Sequence, residues 1–136
     1  MYWLLKSEPE VYSIDQLKKD RQTNWDHIRN FQARNYLRQM KKGDLALIYH
    51  SGDERQLVGL AKVVREAYPD LDQEYGPEGD WSQVDLQFVK KFEAPVKLAT
   101  IKATPSLASL ALIKQSRLST MPVTEAHFKK LCEMAE

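Results

Sequence analysis

The chain has 136 residues, a formal net charge of +1 and 43% apolar content. That length suits a single domain spanning residues 1–136 with room to bury a core. The near-neutral balance argues against a protein that grips long duplexes mainly by neutralising phosphates, which calls for a strongly basic surface. One cysteine, Cys132, leaves no internal disulfide or thiolate metal cage to form. No stretch approaches the roughly 20 apolar residues of a membrane helix. An intracellular protein is expected, cytoplasmic if bacterial, with no membrane association.

Tyr2 to Lys6 has strand composition and stops at Ser7-Glu8-Pro9, where Pro9 removes a backbone donor and holds Glu8 extended. Ser13-Ile14-Asp15-Gln16 matches a capping box, with Tyr12 and Leu17 placed as a staple, so a short helix is expected to about Asp20. Thr23 to Asn30 is read as a connection between helices. Phe31, Tyr36, Leu37 and Met40 give helical spacing, with Arg34 and Arg38 four apart on another face.

Lys42-Gly43-Asp44 turns into Leu45–Tyr49, an apolar run suited to a buried strand, and His50-Ser51-Gly52-Asp53 turns again. Leu57 to Tyr68 reads as a long bent strand whose Gly59 marks a bulge or a close backbone approach. Pro69 to Asp80 is acidic, with prolines and glycines, and is expected as an exposed loop. Trp81 to Phe92 alternates as a strand, with Val84, Leu86 and Phe88 on one face. Short helices broken at Pro105 and near Ser116 are expected from Leu98 to Ile113. Thr124 caps a last helix that gathers Phe128, Leu131, Cys132 and Ala135 on one face, which makes Cys132 a packing residue. Strands mixed with short helices, without regular βαβ alternation, define an α+β domain around a mostly antiparallel sheet, and a curved barrel flanked by short helices is the expected form.

Trp25 to Asn35 packs an indole, two guanidiniums and three carboxamides into eleven residues. Aromatic faces stack on nucleobases, carboxamides offer paired donor and acceptor groups, and arginine grips phosphate bidentately. Two readings stand for Arg29, Arg34 and Arg38: phosphate contacts, or pairing with surface carboxylates. Trp3 and Trp81, in strand-like segments, read as core, whereas Trp25 sits in a polar stretch.

His27, His50 and His127 lack ligand spacing, so no metal site and no cofactor is expected. Asp70, Asp72 and Glu74 do not complete an EF-hand. Ser7, Ser51 and Ser119 sit in no nucleophile elbow, and no glycine-rich phosphate loop occurs. Catalysis finds no motif, and a non-enzymatic binder is the first reading. An enzyme acting on modified nucleic acid or nucleotides, with His50 or Glu8 as general acid or base, is the alternative; a protein-interaction module using the acidic loop is a third.

The chain resembles the EVE domain family, in Tyr2-Trp3-Leu4-Leu5-Lys6-Ser7-Glu8-Pro9, Trp25 through Asn35, Gly43-Asp44 with Tyr49-His50-Ser51, Val58-Gly59-Leu60-Ala61, Arg65 through Asp70, and Arg117-Leu118-Ser119. The resemblance implies a PUA-like barrel related to YTH readers. It implies binding of nucleic acid carrying a modified base, modified cytosine or methylated adenine, or of a modified nucleotide. Ser7 and Trp25 fall on the matching pocket positions. On this reading Trp25 stacks on a base face, Ser7 and Asn30 meet its edge, and Ile28 touches a methyl group. Lys6, Arg29 and Arg34 hold phosphate or pocket walls, while Gln32, Tyr49, His50 and Ser51 orient the rest. The chain departs from the family pattern at His27, where glycine is usual, and at Ser116, where it is frequent.

Overall fold

A computed structural model describes residues 1–72, 76 and 78–136. Six strands form one sheet in the order β2-β5-β4-β3-β1-β6, with β1 Tyr2–Ser7, β2 Gln22–Trp25, β3 Leu45–His50, β4 Gln56–Asp70, β5 Trp81–Lys97 and β6 Thr120–Val123. The β1–β3 pair is parallel and every other pair antiparallel. The mostly antiparallel α+β expectation is met. The barrel is not: β2 and β6 stand at opposite ends of the strand order and do not pair, so the sheet is not closed.

The long β4–β5 ribbon shifts register at several points, one of them between Leu57 and Gly59. Gly59 serves both roles foreseen for it. A Cβ there would lie 2.7 Å from the Lys90 carbonyl oxygen and would collide with Ile14 Cδ1, so the bulge is also where α1 closes on the sheet.

Helix α1 spans Ile14–Asp20, and Ser13 caps it by accepting from the Gln16 amide at 3.1 Å. The reciprocal half of the capping box is not made, because Gln16 Nε2 donates instead to Asp20 Oδ1 at 2.8 Å. Helix α2 spans Phe31–Gln39 and buries Ala33 and Leu37. Phe31 departs from the expected apolar face: it is 60% exposed and stacks on Trp81 with centroids 5.0 Å apart. Helices α3 Leu98–Lys102 and α4 Ala111–Lys114 flank a 3-10 turn at Pro105–Leu107, giving the expected run of short pieces. Helix α5 Glu125–Met134 buries Phe128 and Leu131, and Phe128 stacks on Tyr2 at 4.1 Å. Cys132 is half-buried, and burial pushes its thiol pKa up, which suits a packing role.

Two strands were not foreseen. β2, Gln22-Thr23-Asn24-Trp25, is a polar edge strand where a connection was expected. β6 carries Pro122 at the opposite edge, where a missing amide donor costs nothing in the ladder. The acidic segment also differs from a wholly exposed loop: β4 runs on to Asp70, which is buried. Gln73, Glu74, Tyr75 and Pro77 lie outside the described residues, so Glu74 and that part of the expected loop do too. No helix among the described residues is long and apolar enough to cross a membrane.

Asp44 fastens the start of β3 to β1. Its Oδ2 accepts from Trp3 Nε1 at 2.9 Å and from the Lys41 amide at 3.0 Å. Burial alone would raise this carboxyl's pKa, but those hydrogen bonds outweigh it and the net shift is downward. Asp44→Ala strands a buried indole donor and is expected to cost about 1–3 kcal/mol, read as a lowered denaturant midpoint with an unchanged slope.

Candidate nucleobase cleft

The parallel β1–β3 pair ends at Ser7 and His50, and the chain leaves the sheet there in two tight turns. Ser51 N donates to the Ser7 carbonyl at 3.0 Å, and the amides of Val11 and Tyr12 both donate to the Glu8 carbonyl at 2.9 Å. On one side β2 brings Trp25 to the same end. On the other, the segment before β6 is tied down by the Lys6 amide donating to the Ser119 carbonyl at 2.9 Å and Lys6 Nζ donating to the Ser116 carbonyl at 2.8 Å. Between these parts lies a cleft of about 690 Å³, large enough for a nucleotide.

Beside Val11 and Tyr12, the cleft takes its apolar lining from Trp25 and Ile28. Each is 7% exposed, so each shows the cleft only a small part of its surface while the rest packs into the core. The Trp25 indole is braced edge-on by Tyr12, with ring centroids 6.1 Å apart at 87°. Ser7 Oγ donates to the Tyr12 carbonyl at 2.7 Å, which leaves its lone pairs as acceptors. Glu8 and Asp26 line the same cleft with carboxylates. The polar lining is therefore rich in acceptors. Cations are supplied by Lys6, whose pKa burial lowers, and by exposed Arg117.

Of the residues singled out from sequence, Lys6, Ser7, Trp25, Ile28, Arg29 and Ser51 line this cleft. Five do not. Asn30 is the N-cap of α2, its Oδ1 accepting from the Ala33 amide at 2.9 Å, so the proposed edge reader is occupied as a cap. Gln32 is exposed on α2, outside the cleft lining. Arg34 donates to the Asp80 carbonyl and to Asn35 Oδ1 and lies over the Phe31 and Trp81 rings. Tyr49 is buried in the core. His50 is 4% exposed; its Nε2 accepts from the Ile14 amide at 3.0 Å, which puts the proton on Nδ1 facing Glu54 Oε1 at 2.9 Å.

The arginines divide similarly. Arg29 lines the cleft yet pairs with Asp70 Oδ2 at 3.0 Å, with both side chains buried, and donates to the Asp72 carbonyl. Arg38 pairs with Asp80 at 3.0 Å and donates to Ser82 Oγ. Of the two readings open for these arginines, the contacts present are carboxylate, carbonyl and hydroxyl pairs, which tie Asp70 and Asp72 to the cleft loop and Asp80 and Ser82 to α2. Glu8, put forward as a general acid or base in the alternative reading, does line the cleft, whereas Tyr12, Asn24, Asp26 and Arg117 do so without having been singled out for it. Asp26 and Arg117 lay in quoted motifs; Tyr12 and Asn24 gave no signal, because it is the turn after Pro9 and the β2–β5 pairing that bring them to the cleft.

Among the described residues no group of three or more His, Cys, Asp or Glu side chains could hold a metal ion.

An α+β domain with an aromatic, acceptor-rich cleft flanked by a few cations offers the contacts that a flat, hydrogen-bonding ring would use. The EVE domain model matches residues 1–134, and the chain belongs to that family. It is 40% identical to thymocyte nuclear protein 1 of Mus musculus over 166 aligned positions, covering 99% of this chain and 74% of that protein. Among solved structures, a hypothetical protein from Leishmania major superposes with a TM-score of 0.91 at 39% identity, covering 98% of this chain and 93% of that one. The human THYN1 protein in complex with DNA containing 5-methylcytosine superposes with a TM-score of 0.90 at 36% identity, covering 99% and 97%.

Proposed function

We propose that the protein is a non-enzymatic reader that takes one modified base, a modified cytosine or a methylated adenine, into the cleft between Ser7 and Trp25. The observation that carries this reading is the cleft's composition: one indole, the branched apolar side chains of Val11 and Ile28, and several hydrogen-bond acceptors around a nucleotide-sized space. Cytosine and adenine each present an exocyclic amine, whereas thymine and guanine present a carbonyl at the equivalent place. An acceptor-rich lining therefore favours the two bases named. Trp25 meets the base face, Ile28 a methyl group, and Ser7 Oγ accepts from the amine. The human relative's complex with 5-methylcytosine DNA supports the same reading.

Phosphate contacts fall to Lys6 and Arg117, since Arg29 and Arg34 are engaged elsewhere. Contacts of this kind position the strand, and the cleft discriminates the base. The setting is intracellular, cytoplasmic in a bacterium, and either DNA or RNA can carry the base. A catalytic role for His50 loses support, because both ring nitrogens are occupied and it does not line the cleft.

Fluorescence anisotropy with matched DNA and RNA oligonucleotides, modified at one base, tests the proposal. Modified probes are expected to bind more tightly than unmodified ones, with a logarithmic salt slope of about −2 for two neutralised phosphates. Equal affinity for all probes, or a slope several times steeper, would contradict it.

A further inference from the structure

Three described non-glycine residues have left-handed backbone: Arg21, His27 and Arg55. Of these, His27 is the one that lines the cleft. Its φ is +61°, a conformation in which a Cβ crowds the backbone and which glycine adopts without penalty. The turn itself needs only the backbone, since the His27 amide donates to buried Asp70 Oδ2 at 3.0 Å. An imidazole at this position is thus an addition to the turn rather than a requirement of it, and strain of this sort points to a use.

The ring is held on two sides. Nε2 lies 2.9 Å from Asp72 Oδ2 and Nδ1 lies 3.7 Å from Asp26 Oδ1. Both nitrogens are thus directed at carboxylates, which fixes the ring where it lines the cleft, next in sequence to Ile28. We propose that His27 is a specificity-determining residue: a fixed wall that limits the size of the substituent carried by the bound base, admitting a methyl group and turning away larger groups. This rests on the reader function proposed above.

The test compares the full chain, His27→Gly and His27→Asn, asparagine being the side chain that best tolerates this backbone. The probes are oligonucleotides of one sequence carrying unmodified bases, 5-methylcytosine, glucosylated 5-hydroxymethylcytosine, N6-methyladenine or N6-benzyladenine. The unaltered protein is expected to prefer the methyl member of its series over the bulky member by about tenfold or more. His27→Gly is expected to close most of that gap by tightening the bulky probe, with His27→Asn intermediate and neither melting far below the parent. If the parent discriminates methylated from unmodified probes but both variants keep its methyl-to-bulky ratio, His27 is not the size limit, while the reader function stands. Weaker methyl binding with unchanged bulky binding also overturns the proposal. If no protein prefers any modified probe, the reader function falls and this inference with it.

Discussion

Trp25→Ala is expected to abolish selective base binding and also to destabilise the fold, and the two losses can be separated. The indole is 7% exposed, belongs to the core cluster and is braced by Tyr12. Emptying such a site costs about 3–5 kcal/mol, a large share of the 5–15 kcal/mol that holds a typical domain folded. Loss of a stacking platform costs about 1–3 kcal/mol in binding. Trp25→Phe keeps an aromatic body in the site, so its stability should fall by less than that of Trp25→Ala while the stacking area is still reduced. The outcome to check is a Trp25→Phe protein that unfolds cooperatively, binds a modified oligonucleotide more weakly than the parent, and binds the unmodified one no differently. Unchanged modified-base affinity in Trp25→Phe, with Trp25→Ala weakened only in proportion to its unfolded fraction, would reduce Trp25 to a core residue.

Asp70→Ala is expected to be as damaging without touching a base. Arg29 and Asp70 form an ion pair with side chains 7% and 4% exposed, and Asp70 also accepts from the amides of His27 and Asp72. Removing the carboxylate breaks this buried ion pair, which costs about 3–5 kcal/mol, and takes away the acceptor that ties the His27 amide to the end of β4. The same carboxylate sets an acid limit. Burial pushes the Asp70 carboxyl pKa up, but the Arg29 hydrogen bond, the two amide bonds and the Arg29 charge outweigh it, and the folded value lies below the ordinary one. Its contribution to stability is therefore fully present above the unfolded-state pKa of about 3.9 and is lost as the pH falls through the depressed folded value. Asp44 behaves alike. Thermal unfolding followed from pH 7 to pH 2 should show a steep acid loss in the parent and a shallower one in Asp70→Ala.

Much of the fold was legible because its core elements have clear periods. β1, β3 and the paired β4–β5 ribbon follow from apolar runs and alternation, and α1 and α5 from Ser13 and Thr124 before apolar stripes. β2 was not legible because an edge strand of Gln, Thr and Asn buries only Trp25, and β6 was hidden by Pro122. The open sheet differs from the barrel implied by resemblance because β2 and β6 find no partner in each other.

The candidate site was legible in part for a different reason. Trp25, Ile28 and Ser7 could be singled out by residue type and family resemblance, and all three line the cleft. Arg29, Arg34 and Arg38 looked like phosphate ligands because the groups that engage them, Asp70, Asp80 and Ser82, lie more than forty residues further along the chain. Asn30 is the exception that sequence could have settled: an asparagine immediately before a helical run is a capping signal, and it acts as the cap. At His27 the glycine that the resemblance implies would suit the backbone φ of +61°.

The three indoles offer the most direct test of the central claim. Trp3 is fully buried and donates to Asp44, Trp81 is stacked on Phe31, and Trp25 lines the cleft. In a titration of nitrogen-15-labelled protein with a short oligonucleotide carrying one modified base, the Trp25 indole resonance is predicted to move or broaden while those of Trp3 and Trp81 stay in place, and the unmodified oligonucleotide should leave Trp25 largely unmoved. Saturable binding of the modified strand that shifts Trp81 or surface amides but leaves Trp25 untouched would contradict base reading in this cleft.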